Sequence, residues 1–277
     1  MTVMTLTTDF GLADGYVGVL KGVILGITPG ATIVDISHDI PVQDIAAGAY
    51  VLEQAYRYFP PHTVHLAVVD PGVGSTRRPL LLTTPQACFV GPDNGLFSFL
   101  LDAPAALQAY QLDVPTYWLP QVSSTFHGRD IFAPSAAHLA RGVPPGLLGQ
   151  PVPLASLVRL PAAPPTVAGD QVAGRIVYID RFGNLITNIP AGLLPPLPPG
   201  TGLIVQIGTH QVPGLHPTYS AVPPGQPVAL IGSAGRLEIG VREGHAAREL
   251  GGRVGDAVVC RAAPGFAILD KSPGNGV

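Results

Sequence analysis

The sequence predicts two domains: an α/β N-terminal domain with a mostly parallel central sheet, and a smaller, all-β, barrel-like C-terminal domain. Three observations support this fold class. Apolar residues make up 47% of the 277 residues, which is enough for two cores. Strand-like and helical periods alternate in the first half of the chain. In the last hundred or so residues the helical periods nearly vanish, and short apolar runs separated by Gly and Pro take their place.

The N-terminal domain, residues 1–163, follows a strand–helix cycle. Pro29-Gly30 and Pro60-Pro61 end its first two helices, and the alternation favours parallel strands covered by helices. We expect the first helix to bury one face, formed by Tyr16, Val19, Leu20, Val23 and Ile27. The predicted strands are Val3–Thr8, Thr32–Ser37, Val64–Val69, Pro79–Thr84, Ala87–Val90 and Leu107–Leu112, and the predicted helices are Asp14–Thr28, Asp44–Phe59, Asn94–Leu101 and Asp130–Arg141.

The C-terminal domain, residues 164–277, has the strand spacing of a small barrel or sandwich. One short helix is expected at Glu243–Leu250. The predicted strands are Val172–Asp180, Gly202–Ile207, Gln226–Ile231, Arg236–Val241 and Asp256–Arg261.

Composition excludes several classes of function. The net charge is −3 and the basic residues form no stripe, so a nucleic-acid partner is not expected. Residues 182–235 carry no charged side chain, but repeated prolines leave no uninterrupted membrane-spanning helix. Asp9 interrupts the apolar run that a signal peptide would need, and Cys88 and Cys260 lie far apart in apolar segments. We therefore expect a cytoplasmic protein with two core thiols and no membrane contact.

Charged residues are so few that their clusters carry most of the information. Asp9 follows the first strand, with Asp14 five residues later, at the sheet edge where α/β proteins bind ligands. Asp9 can hold a sugar diol, or either residue can cap a helix or turn. Asp70 follows a buried strand, and a Gly-rich bend can bring Arg77 back to it as a carboxylate–guanidinium pair. Such a pair serves a pocket or is purely structural.

Two further clusters follow. His127 precedes a predicted helix and is either an exposed catalytic imidazole or an ordinary surface histidine. Phe182 and Asn184, next to Asp180, offer a stacking ring and an amide for a purine, or form a simple hairpin turn. The bend Gly232–Glu238, which includes Ser233, is a candidate nest of backbone donors or a turn. The chain has no diagnostic metal-ligand spacing, so no metal is expected.

Taken together, these clusters resemble the S-adenosyl-L-methionine (SAM) hydroxide adenosyltransferases, the adenosine-forming SAM hydrolases related to fluorinase and chlorinase. The resemblance covers nearly the whole chain, and the order of the motifs makes it specific. The matching segments are Thr8-Asp9-Phe10-Gly11, Ser37-His38-Asp39-Ile40, Asp70-Pro71-Gly72-Val73-Gly74, Gly91-Pro92-Asp93-Asn94-Gly95, Phe126-His127-Gly128-Arg129-Asp130 and Phe182-Gly183-Asn184.

The resemblance implies hydrolysis of SAM to adenosine and L-methionine, without a metal or cofactor, by a homotrimer whose active sites lie between subunits. It implies that Asp70, Arg77 and His127 form the hydrolytic triad and that Asp9 binds the ribose. Asp180 and Ser233 match contacts to the methionine moiety, and Phe182 with Asn184 matches the adenine contacts. Asp14 and Glu238 complete the expected substrate-binding set.

Departures from the related halogenases favour water as the nucleophile. Where this chain has Asp70 and Gly128, the fluoride-using relatives that it resembles have a tyrosine and a serine. Those relatives also carry an inserted loop near Thr84 that this chain lacks. A carboxylate at position 70 would repel a halide. Gln43 and Ala234 replace an aromatic residue and an arginine of some relatives, which affects substrate contacts. Two alternatives stay open: a chlorinase-like halogenase, and a trimer that binds SAM as a slow-turnover sensor.

Overall fold

A computed structural model describes residues 2–102, 106–195 and 201–264 of the chain. The chain forms two compact units, residues 1–162 and 163–277. The first unit contains β1 (Val3–Thr8), α1 (Tyr16–Ile27), β2 (Thr32–Ser37), α2 (Ile45–Ala55), β3 (Thr63–Val68), β4 (Pro79–Thr83), β5 (Ala87–Pro92), α3 (Ser98–Leu101), β6 (Gln108–Leu112), α4 (Ala133–Ala140), α5 (Pro145–Leu148) and β7 (Gly149–Pro151).

The sheet of the first unit is mixed, with most of its strands pointing the same way. Its order is β2-β1-β3-β5-β4-β6-β7. The first four strands in this order pair in parallel, whereas β4, β6 and β7 pair antiparallel with their neighbours. The prediction of a mostly parallel sheet therefore holds in its coarse form. The chain between β4 and β5 is too short for a crossover, so these two strands can pair only in opposite directions.

Helix α1 buries a face that matches the predicted one in part. Leu20 is buried, and Val23 and Ile27 pack against the core as predicted. Tyr16 and Val19 are exposed instead, and Val17 and Ile24 are buried in their place. The prediction was wrong for these positions because apolar residues occupy nearly every side of this helix, so spacing alone could not select the face. The buried residues join the core between the sheet and α4.

The second unit is a curled antiparallel sheet. Its elements are β8 (Thr166–Ala168), β9 (Gln171–Ile179), β10 (Leu185–Pro190), β11 (Thr201–Ile207), β12 (His210–Pro213), β13 (Pro227–Ile231), β14 (Arg236–Val241), α6 (Ala246–Glu249) and β15 (Ala257–Pro264). The strand order is β12-β11-β15-β9-β10-β14-β13, with β8 paired to β9. The end strands β12 and β13 approach each other, and a bridge joins His216 to Leu230, so the sheet is nearly a barrel.

Both cysteines are free thiols in the sheets. Cys260 on β15 is fully buried, and Cys88 on β5 is partly buried. Burial raises the pKa of Cys88 to about 11 and that of Cys260 to about 12. Both therefore stay protonated at neutral pH and behave as small apolar side chains. Among the described residues, no helix combines the length and the apolar character needed to cross a membrane.

His65 makes the first unit sensitive to acid. Its fully buried ring lies 5.0 Å from that of Phe89, its Nδ1 lies 2.7 Å from the Thr5 hydroxyl, and its Nε2 has no hydrogen-bond partner among the described residues. Burial lowers the pKa of His65 to about 4. The unfolded chain therefore binds more protons than the folded chain between pH 6.5 and 4, so stability falls as the pH falls through this window.

We expect this effect to remove about 3 kcal/mol of unfolding free energy between pH 6.5 and pH 4. Measuring unfolding free energy against pH for the wild type and for His65→Gln isolates it, because the variant has no imidazole to protonate. The exposed His210→Gln serves as control and should keep the wild-type pH dependence. Equal pH slopes for His65→Gln and the wild type would show that His65 does not govern acid stability.

Candidate active site

Asp70 and Arg77 form a buried ion pair at the end of a buried strand. Every residue of β3 is buried, and Asp70 follows two residues after its last residue. A turn then returns the chain, with the Val73 amide donating to the Asp70 carbonyl. Arg77 Nε donates to both carboxylate oxygens of Asp70, at 2.9 and 3.0 Å, and Nη2 donates to Oδ2. The Arg77 side chain is only 9% exposed and the Asp70 side chain only 5%, so solvent screens the pair weakly.

The same guanidinium reaches His127. Arg77 Nη2 lies 2.8 Å from His127 Nδ1. Because a guanidinium can only donate, Nδ1 must accept, which assigns the proton of the neutral imidazole to Nε2. Burial, followed by the positive charge of Arg77, lowers the pKa of His127 below its ordinary value. The Phe132 ring lies 5.0 Å from the guanidinium carbon and supports Arg77 from the core.

The buried carboxylate of Asp130 stabilises the loop that carries His127. Asp130 is fully buried and accepts hydrogen bonds from the Ser123 amide and hydroxyl, both at 2.8 Å. Arg129 also donates to it. Although burial alone would raise the pKa of Asp130, these hydrogen bonds outweigh it and hold the pKa below its usual value. The following turn, Gly128–Phe132, is π-helical, a distortion frequent at functional sites.

A cavity of about 600 Å³ opens beside Asp70 and His127. Asp9 faces it, with one carboxylate oxygen accepting from the Gln43 amide at 2.8 Å. Gln43 holds a left-handed φ of 64°, a strained conformation of the kind found at ligand sites. Part of the wall is a trio of rings in edge-to-face contact: Phe10, Tyr16 and Phe126.

Five of the predicted substrate-binding residues lie together in the second unit. They line a cavity of about 680 Å³: Asp180, Phe182, Asn184, Ser233 and Glu238. Asp14 is not among the residues lining either cavity, and it is exposed.

Asp180 stabilises the hairpin turn that was one of the two interpretations of this cluster. The Asp180 carboxylate accepts from the Phe182 and Asn184 amides at 2.9 and 2.8 Å and from Asn184 Nδ2 at 2.9 Å. These bonds cap the turn between β9 and β10. The Phe182 ring on this turn is 76% exposed and lines the cavity. A large exposed ring at a cavity rim is a candidate contact surface.

Tyr219 lines the second-unit cavity but escaped the sequence analysis. The Tyr219 hydroxyl donates to the Glu238 carboxylate, and Asn184 Nδ2 lies 3.4 Å from the Tyr219 hydroxyl oxygen. Burial and the charge of Asp180 raise the pKa of Glu238, against the opposing hydrogen bond from Tyr219. Tyr219 lies in a Pro-rich segment without charges or a motif, so no local signal marked it. Arg242 lines the same cavity and was also missed.

Across the described ranges, carboxylates and imidazoles do not converge as metal ligands: no group of three or more His, Cys, Asp or Glu side chains there has a metal-binding arrangement.

Comparisons with known proteins agree along both units. Residues 4–149 match the N-terminal domain model of SAM hydroxide adenosyltransferases, and residues 174–259 match the C-terminal domain model. An (R)-S-adenosyl-L-methionine hydrolase from Thermus thermophilus is 44% identical over 254 residues, covering 88% of this chain and 93% of the relative. A fluorinase from Nocardia brasiliensis is 29% identical, covering 86% of this chain and 89% of the relative.

A solved structure is also similar. An uncharacterized conserved protein from Thermotoga maritima superposes with a TM-score of 0.86 at 34% identity, covering 94% of this chain and all of that one. With both domain models matched in order and a 44% identical relative aligned over most of both chains, the protein belongs to the SAM hydroxide adenosyltransferase family.

Proposed function

We propose that this protein hydrolyses SAM to adenosine and L-methionine by attack of water on the ribose C5′ carbon. The observation that carries this proposal is the hydrogen-bonded set of Asp70, Arg77 and His127 beside the first-unit cavity. Family membership names the substrate, and the set supplies groups that can aim and deprotonate a water molecule. SAM itself is the substrate here, and the proposed displacement calls for no further cofactor.

The reaction requires little from the protein beyond positioning. The water oxygen forms a bond to C5′ while the C5′–sulfur bond breaks. The electron pair of the broken bond stays on sulfur and neutralises the sulfonium. Asp70 holds Arg77 and accepts the water proton. Arg77 stabilises the developing hydroxide with its positive charge. His127, neutral with Nδ1 engaged by Arg77, presents its Nε2–H, which orients the water by donating a hydrogen bond to the water oxygen, while Asp70 takes the proton.

We assign substrate recognition to residues of both cavities. Asp9 keeps one carboxylate oxygen free of the Gln43 contact, which suits a ribose diol. Phe182 offers a ring for adenine beside the Asn184 amide. Asp180 and Ser233 receive the methionine moiety, with Glu238 adding negative charge for its ammonium group. Asp14 is exposed, and its role in substrate binding stays a prediction.

Water is favoured over halide as the nucleophile. The Asp70 carboxylate beside the first-unit cavity would repel an anion. Purified protein incubated with SAM should yield adenosine and methionine in equal amounts by chromatography, and chloride or fluoride should add no 5′-halo-nucleoside. A 5′-halo product would identify a halogenase. Retention of intact SAM through a single-turnover experiment would identify a binding protein or sensor and overturn the proposal.

We further propose a homotrimer, located in the cytoplasm, with active sites shared between subunits. The candidate residues divide between two cavities, one in each unit, and Val42 at the first and Phe182 at the second are strongly exposed apolar side chains. Both cysteines are free, a state that a reducing compartment maintains.

Mixed oligomers test this sharing. Asp70→Ala disables the first unit, and Phe182→Glu disables the second without disturbing a buried side chain. Co-refolding the two inactive variants should restore about a quarter of wild-type activity, since random mixing leaves that share of shared sites intact. Mass measurement by light scattering gives the subunit number. No recovery in mixtures shown to contain both chains would exclude sites shared between subunits.

A further inference from the structure

The motif Gly91-Pro92-Asp93-Asn94-Gly95 has no part in the chemistry described above, yet it lies beside the Asp70–Arg77 pair. It ends β5, which runs parallel to β3. A Cβ at Gly91 would overlap the Ala67 carbonyl oxygen, so glycine lets the end of β3 lie directly against this turn. Strand β3, which ends two residues before Asp70, therefore packs directly against the motif.

Asn94 holds the peptide immediately before Asp70. Its side-chain Nδ2 donates to the Val69 carbonyl at 2.8 Å, and its Oδ1 accepts from the Leu96 amide at 3.2 Å. Val69 is fully buried, so this carbonyl has no water to bind in place of the amide. The direction in which the chain leaves β3, and hence the position of Asp70, depends on this bond.

Asp93 holds the residue immediately after Arg77. Its amide donates to the Arg78 carbonyl at 3.0 Å. Its carboxylate accepts from Arg78 Nε at 2.8 Å and from Nη2, and its other oxygen accepts from the Val158 amide at 2.9 Å. The Asp93 side chain is only 4% exposed. A buried carboxylate with this many donors is a fixed anchor.

We propose that Asp93 and Asn94 are positioning residues that clamp both ends of the loop from Asp70 to Arg77. Two consecutive residues thus fix the peptide before the carboxylate and the residue after the guanidinium, at the two ends of the loop that joins them. The clamp fixes the geometry of the pair before substrate binds. This inference rests on the proposed function for its effect on rate, but the clamp itself is measurable without turnover.

Two isosteric variants test the clamp. Asn94→Asp keeps the acceptor for Leu96 but puts a carboxylate oxygen against the Val69 carbonyl, and Asp93→Asn removes the charge that holds Arg78. We expect each to lower kcat for adenosine formation about 10- to 100-fold and to change KM less than about threefold. Asp102→Asn, which breaks an exposed ion pair with Arg159 in the same unit, is the matched control and should keep both constants.

The imidazole of His127 provides a readout that is independent of catalysis. Its pKa is held down in part by Arg77, so a loosened Arg77 should let the pKa rise in an NMR titration of Asn94→Asp and Asp93→Asn, but not of Asp102→Asn. Arg78→Lys, which keeps the charge and loses the forked donors, should give a smaller rise. If either isosteric variant fails to fold, Arg78→Lys is used in its place.

The possible results separate the two proposals. Lower kcat together with a raised His127 pKa, in variants whose melting temperatures match Asp102→Asn, supports the clamp. An unchanged kcat and an unchanged His127 pKa would overturn it, as would a loss of rate that merely follows the unfolded fraction. If the wild type forms no adenosine, the proposed function fails, and the titration still decides whether the clamp exists.

Discussion

Replacing Arg77 with methionine is expected to lower kcat for adenosine formation by about 10³-fold. Two interactions disappear together, because the guanidinium holds both Asp70 and His127. The Asp70 carboxylate, with a side chain only 5% exposed, is then left buried without its cation. Because Arg77 is absent from the residues that line the cavity, KM should change less than about threefold.

Kinetics of Arg77→Met and Arg77→Lys, with Arg159→Met as the exposed control, check this expectation. The lysine variant keeps a charge but cannot fork between Asp70 and His127, so it should recover only a small part of the rate. Asp70→Ala and His127→Ala should also slow adenosine formation sharply with substrate binding largely retained. Near-wild-type turnover in Arg77→Met would contradict the assigned roles.

Replacing Gly74 with alanine is expected to give the second largest loss, about 100-fold in kcat. Gly74 lies on the bend between Asp70 and Arg77 with a φ of +77°, and a Cβ there would overlap the carbonyl oxygen of Ser124. Ser124 belongs to the loop that carries His127. The added methyl group therefore pushes apart the two loops whose contact joins Arg77 to His127.

Gly142→Ala is the matched control for Gly74→Ala. Gly142 has a similar left-handed φ of +94°, but a Cβ there would meet no atom of the described residues within 4 Å. It carries the same backbone strain without the collision. Steady-state kinetics and thermal unfolding of both variants separate strain from steric displacement. Equal losses of kcat in the two variants would show that the approach of the loops does not matter.

The sequence predicted much of the fold because strand signals here are strong. β1, β2 and β14 occur with the predicted bounds, since each is a short run rich in apolar and β-branched residues with Gly or Asp within two residues of one end. The helix predicted at Asn94–Leu101 shrinks to Ser98–Leu101 because the Asn94 side chain bonds Val69 instead of starting a helix. Strand β10 was missed, since its short mixture of apolar and polar residues has no regular alternation.

From the sequence alone, the candidate site could be located only through its charged and titratable residues. Charges are rare enough in this chain that Asp70, Arg77 and His127 were identifiable. The pairing of Asp70 with Arg77 follows from a turn that local rules allow, whereas the contact of Arg77 with His127 joins residues 50 positions apart and depends on the tertiary fold. Tyr219 could not be identified, because its position depends on strands paired far along the chain. The support that Asp93 and Asn94 give to the pair is likewise tertiary, and spacing does not encode it.

Attack of a water oxygen on the C5′ carbon of SAM is the step on which the proposed function depends. A single-turnover reaction in ¹⁸O-labelled water, followed by mass spectrometry of the products, shows whether this step occurs. We expect one heavy oxygen in the 5′-hydroxyl of adenosine and none in methionine. Label in a homoserine product, which would mean attack on the amino-acid chain of the substrate, or adenosine without label would contradict it.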